Sequence, residues 1–262
     1  MLLGVALLLA ACDGTTTPPG TSEPVRGPNV IGTVVEQYLS QPTYPTLTPK
    51  AWSGGAGTAS GTVVDDTGKT TVVATGTLNA DGTFSLTLPA TVADASLSTI
   101  GSVLDLQDNA LLPVSLSCTA ALVPSDTSAR GSALLVAVAG QKTGAISPVV
   151  QSGQIDDVAQ TVTINTRSGG YVYSDRAVSI SGTQTCTGTY QGAAVKATLN
   201  SAVQLARGWN TVSVVSDIRI DNSGVTLTTT SQTGALPTNQ WLYSSGDLGG
   251  LSLPRLPLPL RR

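Results

Sequence analysis

The chain contains few side chains that could act as acids, bases or nucleophiles. Its aspartates include three closely spaced pairs: Asp65 with Asp66, Asp105 with Asp108, and Asp156 with Asp157. Two carboxyl groups about 5 to 10 Å apart across a cleft can hydrolyse a glycosidic bond. Neighbouring aspartates in a turn, however, point apart and bond to the local backbone. We therefore predict solvated turn residues, and a carboxylate-based hydrolase is the least favoured function.

Histidine is absent from the chain. This excludes Ser-His-Asp and Cys-His catalysis, histidine-ligated zinc and a histidine pH switch. Asn79, Asp81 and Gly82 match the start of a calcium-binding loop, but the glutamate that completes such a loop is missing. These residues therefore predict a hairpin turn. We expect no metal, no cofactor and no catalytic activity.

The segment before Cys12 is apolar and uncharged. About ten apolar residues cannot cross a membrane, which takes about 20 residues of helix, so residues 1–11 predict a cleaved signal peptide. The segment ends in Leu9-Ala10-Ala11-Cys12, which resembles the lipobox of bacterial lipoproteins. The resemblance implies cleavage before Cys12 and a membrane anchor through lipid on its sulfur. The alternative is an ordinary signal peptide followed by an incidental cysteine.

Besides Cys12, the chain contains two further cysteines. If Cys12 carries lipid, Cys118 and Cys186 form an even pair, which predicts a disulfide in an oxidising compartment. The alternative is two free, buried thiols.

Composition limits the partners. The chain has a net charge of -3, a pI of about 4.8 and only 11% charged residues, so no basic surface would attract nucleic acid. Abundant threonine, serine, glycine and valine favour β structure. We expect an extracytoplasmic protein of the bacterial cell envelope.

The chain divides into segments of different composition. Proline, glycine, threonine and serine predict a flexible tether in residues 12–29, and repeated proline predicts a disordered tail in residues 246–262. Between them, short β-branched runs alternate with turn signals. We predict an all-β fold, an antiparallel β-sandwich, as one large module or as two in tandem over residues 30–125 and 126–245. At most one short helix is expected, within residues 92–106.

One hairpin carries a second resemblance. Gly61-Thr62-Val63, Thr75-Gly76-Thr77-Leu78 and the string Asp81-Gly82-Thr83-Phe84 resemble the strands and turn of carboxypeptidase-regulatory or transthyretin-like sandwich domains. The resemblance covers residues 30–120. It implies that Phe84 lies in the core and that the module has an accessory or adhesive role.

Aromatic residues are scarce, at 4% of the chain. Trp52 and Trp241, with Tyr243, are the candidates for contact with a ligand such as a sugar, although packing in the core or between domains is the favoured explanation for each tryptophan.

Taken together, these features predict a lipid-anchored envelope protein with a structural or binding role. The alternative is a surface module that binds carbohydrate or another ligand. Envelope polysaccharide or another envelope protein is the expected partner, besides the membrane reached through Cys12.

Overall fold

The fold is all-β. The computed structural model describes residues 26–38, 46–101, 103, 116–119, 122–190 and 192–245. This part of the chain contains seventeen strands and one 3-10 turn, Asp94–Ser96, where a short helix was predicted. It contains no helix that could cross a membrane. Cys12 and the lipobox, most of the tether, Asp105, Asp108 and the proline-rich tail lie outside the described residues.

The strands are numbered in chain order. They are β1 Arg26–Tyr38, β2 Thr48–Ala51, β3 Gly57–Val64, β4 Thr70–Leu78, β5 Thr83–Pro89, β6 Ser98–Thr99, β7 Leu116–Cys118, β8 Arg130–Ala133, β9 Leu135–Ala139, β10 Thr143–Ser147, β11 Val149–Asp156, β12 Thr161–Ser174, β13 Val178–Tyr190, β14 Ala193–Leu205, β15 Gly208–Asp221, β16 Gly224–Thr233 and β17 Gln240–Ser244.

The first sheet closes on itself. Its order is β2-β1-β5-β4-β3-β9-β10-β17, and β17 also pairs with β1, in parallel, from Thr33 opposite Gln240 to Val35 opposite Leu242. The closed sheet is barrel-like, so the structure confirms the all-β class but not the predicted sandwich. Its interior is filled by apolar side chains, among them Val34, Phe84 and Trp241.

The second sheet has the order β6-β8-β12-β15-β16-β14-β13-β7, and β11 pairs with β12. It is curled, and its strands β12 to β15 are 13 or 14 residues long. Most neighbours are antiparallel, as predicted, but β14 and β16 run parallel. Two apolar clusters line its inner face, one around Ile180 and Val203 and the other around Cys186 and Ile218.

The chain passes between the sheets at short links. Only Leu134 separates β8 from β9, and only Pro148 separates β10 from β11. Strands from both sides of residue 125 occur in each sheet. The division between the two sheets therefore does not follow position along the chain. A shared cluster that includes Val63, Leu97 and Tyr173 packs the two sheets together.

The predicted disulfide is present. Cys118 in β7 lies directly opposite Cys186 in β13, and their sulfurs are 2.03 Å apart. Cys186 is fully buried, within the second apolar cluster. The bond therefore joins the short strand β7 to the core of the curled sheet.

The hairpin turns of the first sheet follow the predicted pattern. Gly68 and Gly82 have φ angles of 80° and 87°, values that favour glycine because it lacks a Cβ atom. Phe84 follows the second turn and is 4% exposed, in the core as the resemblance implies. These turns join β3 to β4 and β4 to β5.

Candidate functional site

The aromatic residues predicted to contact a ligand lie together in the core of the first sheet. Trp52 is 6% exposed and Trp241 is 2% exposed. The ring of Trp52 meets that of Tyr243 edge-on at 5.2 Å, and Trp241 meets Phe84 in the same way at 5.3 Å. Tyr243 is half-buried, and its hydroxyl donates to the carbonyl of Thr143. Since both indole rings are covered, neither presents a face on which a sugar could stack.

The described aspartate pairs do not form an acid–base couple. Asp65 Oδ1 accepts hydrogen bonds from Thr67 and Lys69 within its own turn, whereas Asp66 accepts from Thr99 and Arg130. The Thr67 hydroxyl, followed by the backbone N–H groups of the turn, holds the pKa of Asp65 below its usual value. Both carboxylates are thus engaged with different partners, as solvated turn residues are.

The second described pair behaves in the same way. Asp156 Oδ1 accepts from the backbone N–H groups of Val158 and Ala159. The suspected calcium loop is also a turn, because Asp81 Oδ1 accepts from both the N–H and the hydroxyl of Thr83. No group of three potential metal ligands occurs among the residues that the structure describes.

A cluster that the sequence did not indicate joins a serine, a lysine and a glutamate. Lys142 Nζ lies 2.7 Å from Glu36 Oε1 and 2.8 Å from Ser53 Oγ, and the Ser53 hydroxyl donates to the same Glu36 oxygen. The hydrogen bond from Lys142 lowers the pKa of Glu36 from 4.5 to about 2. A serine–lysine dyad needs a neutral lysine to take the serine proton, and ionised Glu36 favours the ammonium form instead. The cluster is therefore a structural ion pair.

A band of polar side chains crosses the inner face of the second sheet between its two apolar clusters. Its members are Thr166, Gln184, Ser201, Ser216, Thr229 and Ser231. Some are paired: the Ser201 hydroxyl donates to the carbonyl of Ile180, and Ser216 bonds to Thr229. Gln184 is 0% exposed, and neither atom of its amide has a partner in the described structure. Because Gln184 is fully covered, its amide is closed to an outside ligand.

The outer face of the second sheet, by contrast, carries an open groove of about 510 Å³. We call it the outer groove. It crosses β11, β12, β15 and β16. Its polar side chains are Ser152, Gln154, Thr163, Asn165, Asp217, Arg219, Thr226 and Thr228. They share one face because directly paired residues of a sheet point the same way, as Asn165 and Asp217 do.

The outer groove displays two opposite charges that are not paired with each other. Asp217 Oδ1 accepts from the side-chain amide of Asn165 at 2.7 Å. Arg219 instead donates through Nε to Asp221 Oδ2 at 3.0 Å. The groove therefore offers neutral donors and acceptors, one carboxylate and one guanidinium. It holds no second carboxylate and no histidine, so its chemistry suits hydrogen bonding to a polar ligand rather than acid–base catalysis.

Sequence reasoning did not find the outer groove. In the sequence, the only trace of the groove is that polar residues alternate in three segments. These are Thr163 with Asn165, Asp217 with Arg219, and Thr226 with Thr228. Such alternation indicates only that one face of a sheet is solvated. Strand pairing was needed to bring these three segments side by side. Comparisons with protein-family models, with curated proteins and with solved structures found no match.

Proposed function

We propose that this protein is a lipid-anchored component of the bacterial cell envelope whose folded part binds a polar ligand, without catalysis, in the outer groove. The observation that carries the proposal is the groove itself. It is open, and its hydroxyl, amide and charged side chains come from four strands of one rigid sheet. A site built on paired strands keeps its donors and acceptors in fixed positions, which reduces the entropy lost on binding.

Envelope polysaccharide is the partner class that this chemistry favours. Sugar hydroxyls both donate and accept hydrogen bonds, as do the threonine, serine, asparagine and glutamine side chains of the groove. The groove has no aromatic platform, since Trp52 and Trp241 are buried elsewhere. We therefore expect modest affinity for one chain, strengthened when many anchored copies bind one polymer.

The anchor rests on the lipobox at Leu9-Ala10-Ala11-Cys12. Diacylation or triacylation of Cys12 would hold the protein stably at a membrane, because two or more chains bind far more strongly than one. The resemblance to carboxypeptidase-regulatory domains is consistent with an accessory role, but the proposal does not depend on it.

The anchoring part is tested by metabolic labelling with a fatty acid. The full chain should take up the label and sediment with membranes, and Cys12→Ser should lose both properties. An unlabelled full chain, or a Cys12→Ser chain that stays with membranes, contradicts the anchor.

The binding part is tested with isolated envelope polysaccharide and the Cys12→Ser chain. Asn165→Ala with Asp217→Ala removes a directly paired couple from the outer groove and should abolish retention. The matched control is Thr77→Ala with Ser85→Ala, a directly paired, exposed couple on the outer face of the first sheet. Equal retention of the two double variants would refute the groove as the binding site.

A further inference from the structure

Asp217 and Arg219 carry opposite charges and are neighbours on the outer face of β15. They do not pair, because each is held by a different residue. Asn165 occupies Asp217 Oδ1, and Asp221 occupies Nε of Arg219. The second oxygen of Asp217 and the terminal nitrogens of Arg219 have no partner in the described structure.

A chain of hydrogen bonds through Asp221 and Ser223 holds the Arg219 side chain in place. Asp221 Oδ2 accepts from Arg219 Nε, while Asp221 Oδ1 accepts from the backbone N–H and the hydroxyl of Ser223. The Ser223 hydroxyl, followed by its N–H group, lowers the pKa of Asp221 to about 2, so this anchor stays ionised at neutral pH. The Arg219 side chain remains 60% exposed. A guanidinium that is anchored through Nε still presents its planar pair of terminal nitrogens, which matches the two oxygens of a carboxylate.

The spacing of the two residues suits a single sugar ring, because the Cα atoms of residues two apart on a strand are separated by about 6.6 Å. A uronic acid carries a carboxylate on one side of its ring and neighbouring hydroxyls on the other. Its carboxylate fits Arg219, and its hydroxyls can donate to Asp217, while Thr226 and Thr163 lie beside Arg219 in the same row of the sheet.

We propose that the outer groove recognises a carboxylate-bearing saccharide, with Arg219 binding the carboxylate and Asp217 binding ring hydroxyls of the same sugar unit. The inference rests on the proposed binding function and adds the ligand class. Overall charge does not drive this binding, because the protein is acidic. Specificity comes from Arg219 and Asp217 together. An uncharged sugar can bind Asp217 through its hydroxyls but has no carboxylate for Arg219.

The test is calorimetric titration of the Cys12→Ser chain with trigalacturonate and with its uncharged counterpart, trigalactose. The unaltered groove should prefer trigalacturonate by tenfold or more, as a charge-assisted hydrogen bond implies. Arg219→Gln should remove that preference, because it should weaken trigalacturonate binding far more than trigalactose binding. Asp217→Asn should weaken both ligands to a similar extent.

The matched control is Arg167→Gln, which removes an exposed positive charge from β12 of the same sheet outside the groove lining. It should retain the preference, and near-ultraviolet circular dichroism should show that every variant is folded. Equal affinity for both sugars, or a preference that survives Arg219→Gln, overturns the carboxylate inference while the binding function stands. No binding of either sugar by the unaltered groove overturns the saccharide assignment, and failure to retain envelope polysaccharide as well refutes the binding function itself.

Discussion

Opening the Cys118–Cys186 disulfide should destabilise the protein strongly. The strand β7 that carries Cys118 has one described partner strand, β13, so the covalent bond supplements a short backbone ladder. Cys186 is fully buried beside Val195, Ile218 and Leu227. Loss of the bond therefore releases a segment that packs on the interior of the second sheet.

The size of the effect can be worked from the length of the closed loop. The two cysteines are 68 residues apart in sequence. In the chain-entropy treatment, a loop of this length lowers the entropy of the unfolded chain enough to stabilise the folded state by about 4 kcal/mol. This is a large share of the 5 to 15 kcal/mol that is typical of a folded domain.

The measurement is urea unfolding of the Cys12→Ser chain, monitored by tryptophan fluorescence, with and without a phosphine reductant. Reduction leaves both sulfur atoms in place, so the difference reports the covalent link. The double variant Cys118→Ala with Cys186→Ala should be at least as unstable, because it also leaves a cavity in the cluster. Free energies of unfolding that agree within about 1 kcal/mol between the oxidised and reduced protein would refute the reasoning.

Three further predictions concern the core, an ion pair and the polar band. Phe84→Ala should lower the free energy of unfolding by about 3 to 5 kcal/mol, because it empties a core site beside Trp241. Stability should fall as the pH decreases from about 4.5 towards 2, because Glu36 ionises more readily in the folded state; Glu36→Gln should flatten this part of a thermal-denaturation profile against pH. Gln184→Met should raise the free energy of unfolding by about 1 to 3 kcal/mol in a urea titration, since it removes a buried, unpartnered amide.

Each of these three predictions can be contradicted by a specific result. The exposed Thr87→Ala serves as a control for Phe84→Ala and should change stability by less than about 0.5 kcal/mol; equal losses would mean that Phe84 is not a core anchor. If the Glu36→Gln variant still loses stability steeply as the pH falls from about 4.5 towards 2, other carboxylates cause that loss. Destabilisation by Gln184→Met would show that buried water satisfies the amide.

The local structure of the first hairpins could be predicted from the sequence. Asp65 to Gly68 and Asn79 to Gly82 contain the residues that a tight turn requires, and the β-branched runs on either side have few alternatives to a strand. Phe84 is the only phenylalanine in the chain and lies at an inward position of β5. Its burial follows from alternation along one strand.

Strand lengths were harder to predict. The β-branched runs in residues 160–165 and 170–173 predict two separate strands, but the structure has the single strand β12, Thr161–Ser174, which runs through Gly169 and Gly170. Glycine and serine interrupt the local pattern without ending the strand, because β15 pairs with β12 without a break from Val162 to Ser174. Pairing between distant segments overrides the local signal here.

The order in which the strands pair was the feature that the sequence predicted least. The position of Trp241 shortly after Leu236 and Pro237 predicts an exposed loop residue, yet Trp241 lies in β17 and is buried inside the closed sheet. No local pattern indicates that this strand returns to β1. The outer groove was hidden for the same reason, because its three polar segments meet only through the register of β12, β15 and β16.

The closure of the first sheet by β17 also affects how the protein folds during its synthesis. Since β17 is the last described strand to be synthesised, β10 and the part of β1 around Thr33 and Val34 each keep an unpaired edge until Gln240–Ser244 has emerged. Exposed edges invite pairing with other chains, and contacts between distant segments form slowly. A nascent chain stalled before β17 should therefore be prone to aggregation.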